Sequence, residues 1–372
     1  VFIDMKIRIK ENQYKTLTEA VGVPTNIVDI ARQVYENMMS ILHPNIDIQD
    51  FLTNEIELNG SFVINNTTFN RIILDFKLQD LDDYDLNDND IKLIVLGMTQ
   101  RGTREMAKNF NYISTTNPTT INLFINLAVN SQTTTQDLID TFRKDRVTIV
   151  SSLAHEIKHA YDDVMNPNIN TSKRVDYETG SNRSFGGIEP LNKFIHYMYF
   201  SHITENLVRP TEIYSSLEEL GITKQEFYNF ILNNKTYQTY KDASQLTYEK
   251  LREQLLDDIS EIKSTFDANN IQYPENGSDE EIVDFTLKEF YETMINWKGG
   301  LMHQLLTDNF IETLLGFEGK KKKYFIKYIN KLNRFGEDYE RFFRYELKQI
   351  NCISSKMLKK ISKIYFLSGN SV

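Results

Sequence analysis

Between Ser152 and Asp163 the chain reads SLAHEIKHAYDD, and within it His155, Glu156 and His159 stand in the pattern H-E-x-x-H. On a helix, side chains four apart lie one turn above each other, so both imidazoles point the same way and can share one metal ion. The glutamate between them projects beside that ion. There it can take a proton from a bound water, which makes the pattern a zinc (Zn2+) site with its own general base. Two histidines do not complete such a site. A catalytic zinc has three protein ligands and a position for water, so the fold must bring another ligand to this helix.

The motif helix carries Val147, Val150, Ala154, Ile157, Tyr161 and Val164 at steps of three and four, which draws one apolar stripe. Ser152, His155, Glu156, His159 and Asp163 fall on the opposite face, which the pattern leaves free to line a cleft. A histidine-completed site of the form H-E-x-x-H-x-x-G-x-x-H would need Gly at 162 and His at 165. The chain has Asp162 and Met165, which excludes it.

A carboxylate from a later helix remains, and the stretch Tyr199 to Leu217, YFSHITENLVRPTEIYSSL, offers two. Glu205 has His202 three residues before it and Arg209 four after, all on one helix face. Arg209 can hold Glu205 ionised or orient it, and His202 can bind metal or stabilise an oxyanion. Glu212 is the alternative third ligand. Glu205 takes precedence because Pro210 leaves the direction of Glu212 open. Asp162 or Asp163, just past His159, can orient a ligand from outside. His43, His196 and His303 read as packing or capping residues, and Tyr177 enters only by its place in the loop 166–187, whose length and polarity suit control of access.

Taken in order, the chain changes character twice. A strand-like segment, Lys6 to Lys10, leads past Gly22 and Pro24 to a helix capped by Thr25, with Ile27, Ile30, Ala31, Val34, Tyr35, Met38 and Ile41 at helical spacing. From Glu55 the period falls to two. Ile56, Leu58, Phe62 and Ile64, then Ile72, Leu74, Phe76 and Leu78, read as antiparallel strands joined through Asn65-Asn66. The aspartate-rich run Asp80 to Asp90 reads as a solvated turn, since it lacks the glycine and terminal Glu of a calcium loop. Ile91 to Met98 suits a strand buried on both faces, and Thr120 to Val129 another with one accessible face. Beyond Thr133 the pattern stays helical, with one helix from about Leu191 to Val208 that Pro210 closes or kinks. These shifts divide the chain into 1–130, an α/β portion with the sheet; 131–221, the motif helices; and 222–372, a helical C-terminal region.

Charge narrows the partners. The 372 residues carry a net charge of -10, which argues against a general nucleic-acid binder, and the basic run Lys320 to Lys323 reads as a solvated segment. The single cysteine, Cys352, rules out an intrachain disulfide and a multi-cysteine zinc cluster, so a metal must use His and carboxylates. No stretch approaches the roughly 20 apolar residues that span a bilayer, and the first residues lack the apolar core of a signal peptide. The expected setting is therefore away from membranes, in a cytoplasm or a virion.

His155-Glu156-x-x-His159 followed by a glutamate on a downstream helix resembles the zincin metallopeptidases, in particular the gluzincin branch with two His and one Glu as ligands, over about Thr120 to Leu220. The resemblance implies an α+β fold with a zincin-like core: a mixed β-sheet, an active-site helix and a second ligand helix, joined here to a mainly helical C-terminal region. It implies that an edge strand lines the cleft and pairs with an extended protein or peptide substrate, a place that Thr120 to Val129 holds in chain order. It also implies peptide-bond hydrolysis with His155, His159 and Glu205 on zinc and Glu156 as base. The Asn- and Ile-rich composition and the stretch ENLVRPTE are similar to HExxH proteins of large bacteriophages and viruses. A reading from another class stands beside this one: a non-catalytic structural or interaction protein, such as a virion component, whose long charged C-terminal region exceeds what a small zincin core requires.

Overall fold

The computed structural model describes residues 23–24, 26–53, 56–80, 93–100, 104–106, 112–114, 120–129, 132–165, 187–201, 203–305 and 335–366. Over these residues the chain is mixed α/β and mostly helical. Helices α1 (Ile27–Ile41) and α2 (Ile48–Thr53) lead into strands β1 (Ile56–Ile64) and β2 (Thr67–Asp80). Strand β3 (Leu93–Gln100), the short pair β4 (Arg104–Met106) and β5 (Tyr112–Ser114), and β6 (Thr120–Val129) follow. Helices then take over: α3 (Thr135–Lys144), α4 (Arg146–Met165), α5 (Glu189–Phe200), α6 (Ile203–Glu219), α7 (Phe227–Asn233) and α8 (Lys235–Ala243). The series ends with α9 (Tyr248–Asp257), α10 (Ile259–Ala268), α11 (Asp279–Leu305), α12 (Tyr339–Ser362) and a 3-10 turn at Lys363–Phe366. Among the described residues no helix is long and apolar enough to cross a membrane.

Local sequence accounts for the first elements. The apolar residues of α1 from Ile27 to Met38 are buried at their helical spacing. In β1, Ile56, Leu58, Phe62 and Ile64 face inward, and a bulge between Asn59 and Phe62 lets the step from Leu58 to Phe62 oppose the shorter step from Ile72 to Phe69 in β2. Asn65, in the left-handed region at φ 51, turns the chain into β2, which pairs antiparallel with β1 as the alternation predicts.

The main sheet has the order β1-β2-β6-β3, with β2 and β6 parallel and the other pairs antiparallel. This corrects the placing of Thr120 to Val129 as the cleft-lining edge. Strand β6 is interior, paired along its length with β2 from Arg71 opposite Thr120 to Asp80 opposite Val129, and on its other side with β3. Ile121, Leu123, Ile125 and Leu127 are wholly buried. The described edge on the side of α4 is β3, and α4 packs on β3 and β6 as well as on α1 and α6.

Two apolar cores form. The first gathers α1, the sheet, α3, the apolar positions of α4 and α6, and Phe227, Ile231, Tyr240, Met357, Ile361 and Ile364. The second joins α5 to α9, α10, α11 and the first part of α12, with Phe194, Phe290, Phe342 and Phe343 packed ring against ring. Helix α12, 24 residues and about 36 Å long, therefore enters both cores, through Phe342 to Ile350 at one end and Met357 to Ile361 at the other.

The expected single helix from Leu191 to Val208 is two helices. Ser201 closes α5, its N–H donating to Tyr197 O, and its own carbonyl accepts from Asn206 Nδ2 in the first turn of α6. Pro210 then lies inside α6 rather than at its end. The Lys6 to Lys10 segment, the Thr25 cap, most of the aspartate-rich run, Lys320 to Lys323, the loop 166–186 with Tyr177, His202, and the side chains of Asp163 and His303 lie outside the described residues.

Candidate metal centre

Helices α4 and α6 lie antiparallel, since the start of α4 meets the end of α6 while His159 meets Glu205 near the start of α6. At one end Glu219 accepts hydrogen bonds from Arg32 and from Arg146 Nε, the latter at 3.0 Å, and Arg146 covers the ring of Tyr35. The H-E-x-x-H residues occupy the middle of the pair. Toward the other end Lys158 donates to both oxygens of Asp162.

The face of α4 expected to line an open cleft is covered instead. His155 is 5% exposed, Glu156 7% and His159 1%, because α6 packs over them and brings Glu205, 0% exposed, against the imidazoles. His159 Nε2 lies 3.3 Å from Glu205 Oε1, and His155 Nε2 lies 3.6 Å from Glu205 Oε2. The two rings meet edge to face with centroids 4.8 Å apart. Ligand atoms of His155, His159 and Glu205 all lie within 4.8 Å of one another, close enough to hold a metal ion, and no other such group occurs among the described residues.

Two features of this cluster fit a cation. His159 Nε2 and Glu205 Oε1 are buried without a hydrogen-bond partner, although they lie close together. Leaving such atoms unpaired costs about 1–3 kcal/mol each, more where one is charged. On the other side of His155, Nδ1 lies 3.0 Å from Glu212 Oε2. A carboxylate there accepts the Nδ1 proton and orients the ring with Nε2 toward Glu205. Both Nε2 atoms then face one carboxylate, a geometry in which a shared cation would take all three groups as ligands.

Both carboxylates stay ionised. Burial alone would raise Glu205, but the approach of His159 and the charges of Arg209 and His155 hold it well below the usual range. Burial opposes ionisation of Glu212 too, and the Arg209 charge with the His155 contact brings it down to about 2. Arg209 links them, donating from Nη2 to Glu205 Oε2 at 2.8 Å and from Nη1 to Glu212 Oε2 at 2.6 Å. Its guanidinium packs over the ring of Phe200 at 4.4 Å.

Glu205 and Glu212, the two alternatives for one role, thus hold different positions. Glu205 faces both Nε2 atoms, and Glu212 supports His155 from behind. Glu156 lies beside the cluster, its Oε1 3.9 Å from His155 Nε2. Asp162 is engaged by Lys158 rather than by a histidine, and His196 packs on Phe200. Several supporting residues escaped sequence reasoning. Thr236 on α8 donates to Glu212 Oε1 at 3.0 Å, and Tyr240 on the same helix donates toward Phe200 O and Asn206 Oδ1. Their spacing of four marks a shared helix face and nothing more specific. Against models of known protein families, curated proteins and solved structures alike, the chain finds no match.

Proposed function

We propose that the chain is a zinc-dependent metallopeptidase with a zincin-like core, in which His155, His159 and Glu205 hold the metal and Glu156 acts on substrate water. The observation that carries this reading is the convergence of both Nε2 atoms on Glu205, with His159 Nε2 and Glu205 Oε1 buried and unpaired. Tetrahedral ligands at zinc distances of about 2.0–2.2 Å sit roughly 3.3 Å apart, and the separations here are 3.3 and 3.6 Å. Two imidazoles and a carboxylate are a donor set that suits zinc, and the contact of His155 Nδ1 with Glu212 leaves Nε2 as the ring atom directed at Glu205.

Zinc held by His155, His159 and Glu205 would polarise a carbonyl and acidify water. Glu156, next to His155 on α4, takes the proton of the attacking water on its carboxylate and delivers it to the departing amine as the peptide bond breaks. Arg209 keeps Glu205 and Glu212 ionised and in register. Strand β3, at the described edge of the sheet beside α4, offers backbone groups to an extended peptide.

One observation favours a second reading. Catalytic zinc sites keep an open position, and structural ones are closed; the near-complete burial of Glu156 and His159 suits a metal held without turnover. Glu156→Gln separates the two. The full chain and the variant are assayed for zinc by elemental mass spectrometry and for cleavage of an unstructured protein. Catalysis requires that both bind one zinc and that cleavage falls about 100-fold or more in the variant. If both hold zinc and neither cleaves, the metal is structural.

A further inference from the structure

Glu212 is held by donors from three helices, and they divide unevenly between its two oxygens. Oε2 accepts from His155 Nδ1 on α4 at 3.0 Å and from Arg209 Nη1 on α6 at 2.6 Å. Oε1 accepts from the Thr236 hydroxyl on α8 at 3.0 Å. The terminal torsion of a glutamate is broad, so the plane of its carboxylate is set by its donors rather than by its own rotamer. Two donors on Oε2 fix that atom alone. A donor on Oε1 fixes the plane, and with it the direction from which Oε2 meets the imidazole.

Local sequence makes that hydroxyl available. Helix α8 begins at Lys235, with the Asn234 side chain accepting from Tyr237 N as its cap. Thr236 is the second residue, so no earlier turn of its own helix offers a carbonyl to which its hydroxyl could bond back. Thr239, three residues later, does bond back, to Lys235 O at 3.0 Å. Thr236 is instead buried and turned toward α6. Its β-branch restricts χ1, and the helix that carries it is anchored. Tyr240, wholly buried, donates toward Phe200 O at 3.2 Å and Asn206 Oδ1 at 3.1 Å, and α8 packs on α5 and α12.

We propose that Thr236 is a positioning residue for the metal centre: from α8 it pins Oε1 of Glu212, and through that carboxylate it keeps His155 Nε2 turned toward Glu205 and the shared ion. The inference rests on the metal centre proposed above and extends it into the helical C-terminal region. A residue that touches none of the three ligands then contributes to metal affinity through the path from Thr236 to Glu212 to His155.

Zinc affinity of the full-length protein, read by competition with a chromophoric chelator, tests this, and melting of each metal-free chain is followed in parallel. Thr236→Val keeps the shape of the side chain and removes the donor. It weakens zinc binding about fivefold, short of the roughly 10- to 100-fold expected for an outer partner itself. Thr236→Ser keeps the hydroxyl and stays within about twofold of wild type. In a Glu212→Ala background Thr236→Val changes affinity by less than about twofold, a dependence that a merely structural threonine would not show. Full zinc affinity in the folded Thr236→Val variant overturns the proposal. So does an equal loss with and without Glu212, an equal loss in the Val and Ser variants, or a Thr236→Val chain that fails to fold, which assigns the hydroxyl a structural role. If Glu212→Ala does not fold, the contrast between Val and Ser decides alone. Glu205→Ala reports on the centre itself: if wild type binds zinc and this variant does not, a negative result at Thr236 leaves the centre standing, whereas a wild-type chain that takes no zinc overturns both.

Discussion

The two cores bury apolar side chains alike and differ in what else they enclose. On α4 and α6, against the sheet core, lie His155, Glu156, Lys158, His159 and Glu205, all buried. Among the described residues of α9, α10 and α11 the buried polar group is Thr286, and its hydroxyl donates to Ile282 O within its own helix. Buried ionised groups contribute little net stability, because desolvation offsets their attraction. A fold that needed only stability would fill both cores as it fills the second. The contrast therefore separates a region that holds the chain together from one that sacrifices stability for a pre-arranged set of donors and charges.

Removing a ring from the second core gives the largest effect. Phe343 is wholly buried among Phe194, Phe290, Phe342 and Tyr248, so Phe343→Ala lowers stability by about 3–5 kcal/mol. Chemical denaturation measures the loss. Zinc affinity per folded molecule is expected to stay within about threefold, because the ring contacts of Phe343 lie on α5, α9, α11 and α12. A parallel fall in zinc affinity would break the separation of the two regions and show that α12 transmits packing defects from one to the other.

The second effect sharpens the roles within the polar region. A ligand that binds only the folded chain stabilises it by about 2.7 kcal/mol at a hundred times its Kd. Wild type should show a zinc-dependent rise in melting temperature of that origin, and Glu205→Ala should show none. Glu212→Gln keeps the rise at higher zinc, with affinity reduced roughly 10- to 100-fold, since it loses the support of His155 and not a ligand. The reverse pattern, binding lost in Glu212→Gln and kept in Glu205→Ala, would exchange their assignments.

Sequence carried the local features of this architecture and missed those that depend on distant partners. Periodicity located α1 and the hairpin of β1 and β2, where each residue's neighbours are close in the chain. The spacing of His155, His159, Glu205 and Arg209 named the residues that converge, because helix geometry alone sets which side chains share a face. The interior place of β6 was hidden, since its parallel pairing joins Arg71 to Thr120 across a long connection. The polar face of α4 read as exposed because amphipathicity shows which side is polar and not what covers it. Pro210 read as closing or kinking the helix, since a proline removes one N–H wherever it stands and the sequence does not show which turn of the helix it occupies.

Lys360, in the last turn of α12, supplies the smallest effect and the finest test of the contrast. Its ammonium is held down to about 8 from an ordinary 10.5, first by burial and then by the like charge of Lys158, with Asp162 offsetting part. Between those two values the unfolded chain keeps a proton that the folded chain has released, so this lysine makes stability rise with pH across that window. Lys360→Met has no such proton. Without metal at pH 7 the variant should be the more stable chain, by on the order of 1 kcal/mol once screening by solvent is allowed for, and the gap should close toward pH 10. Lys158, freed of the like charge of Lys360, gains a proton more readily in the variant, which adds to the gap at pH 7. A gap that stays constant from pH 7 to 10 would show Lys360 to be solvated like a surface lysine, and its end of α12 would then belong with the stabilising region. A closing gap means that on α12 too the polar region accepts a desolvated charge, at a position where methionine would hold the fold better.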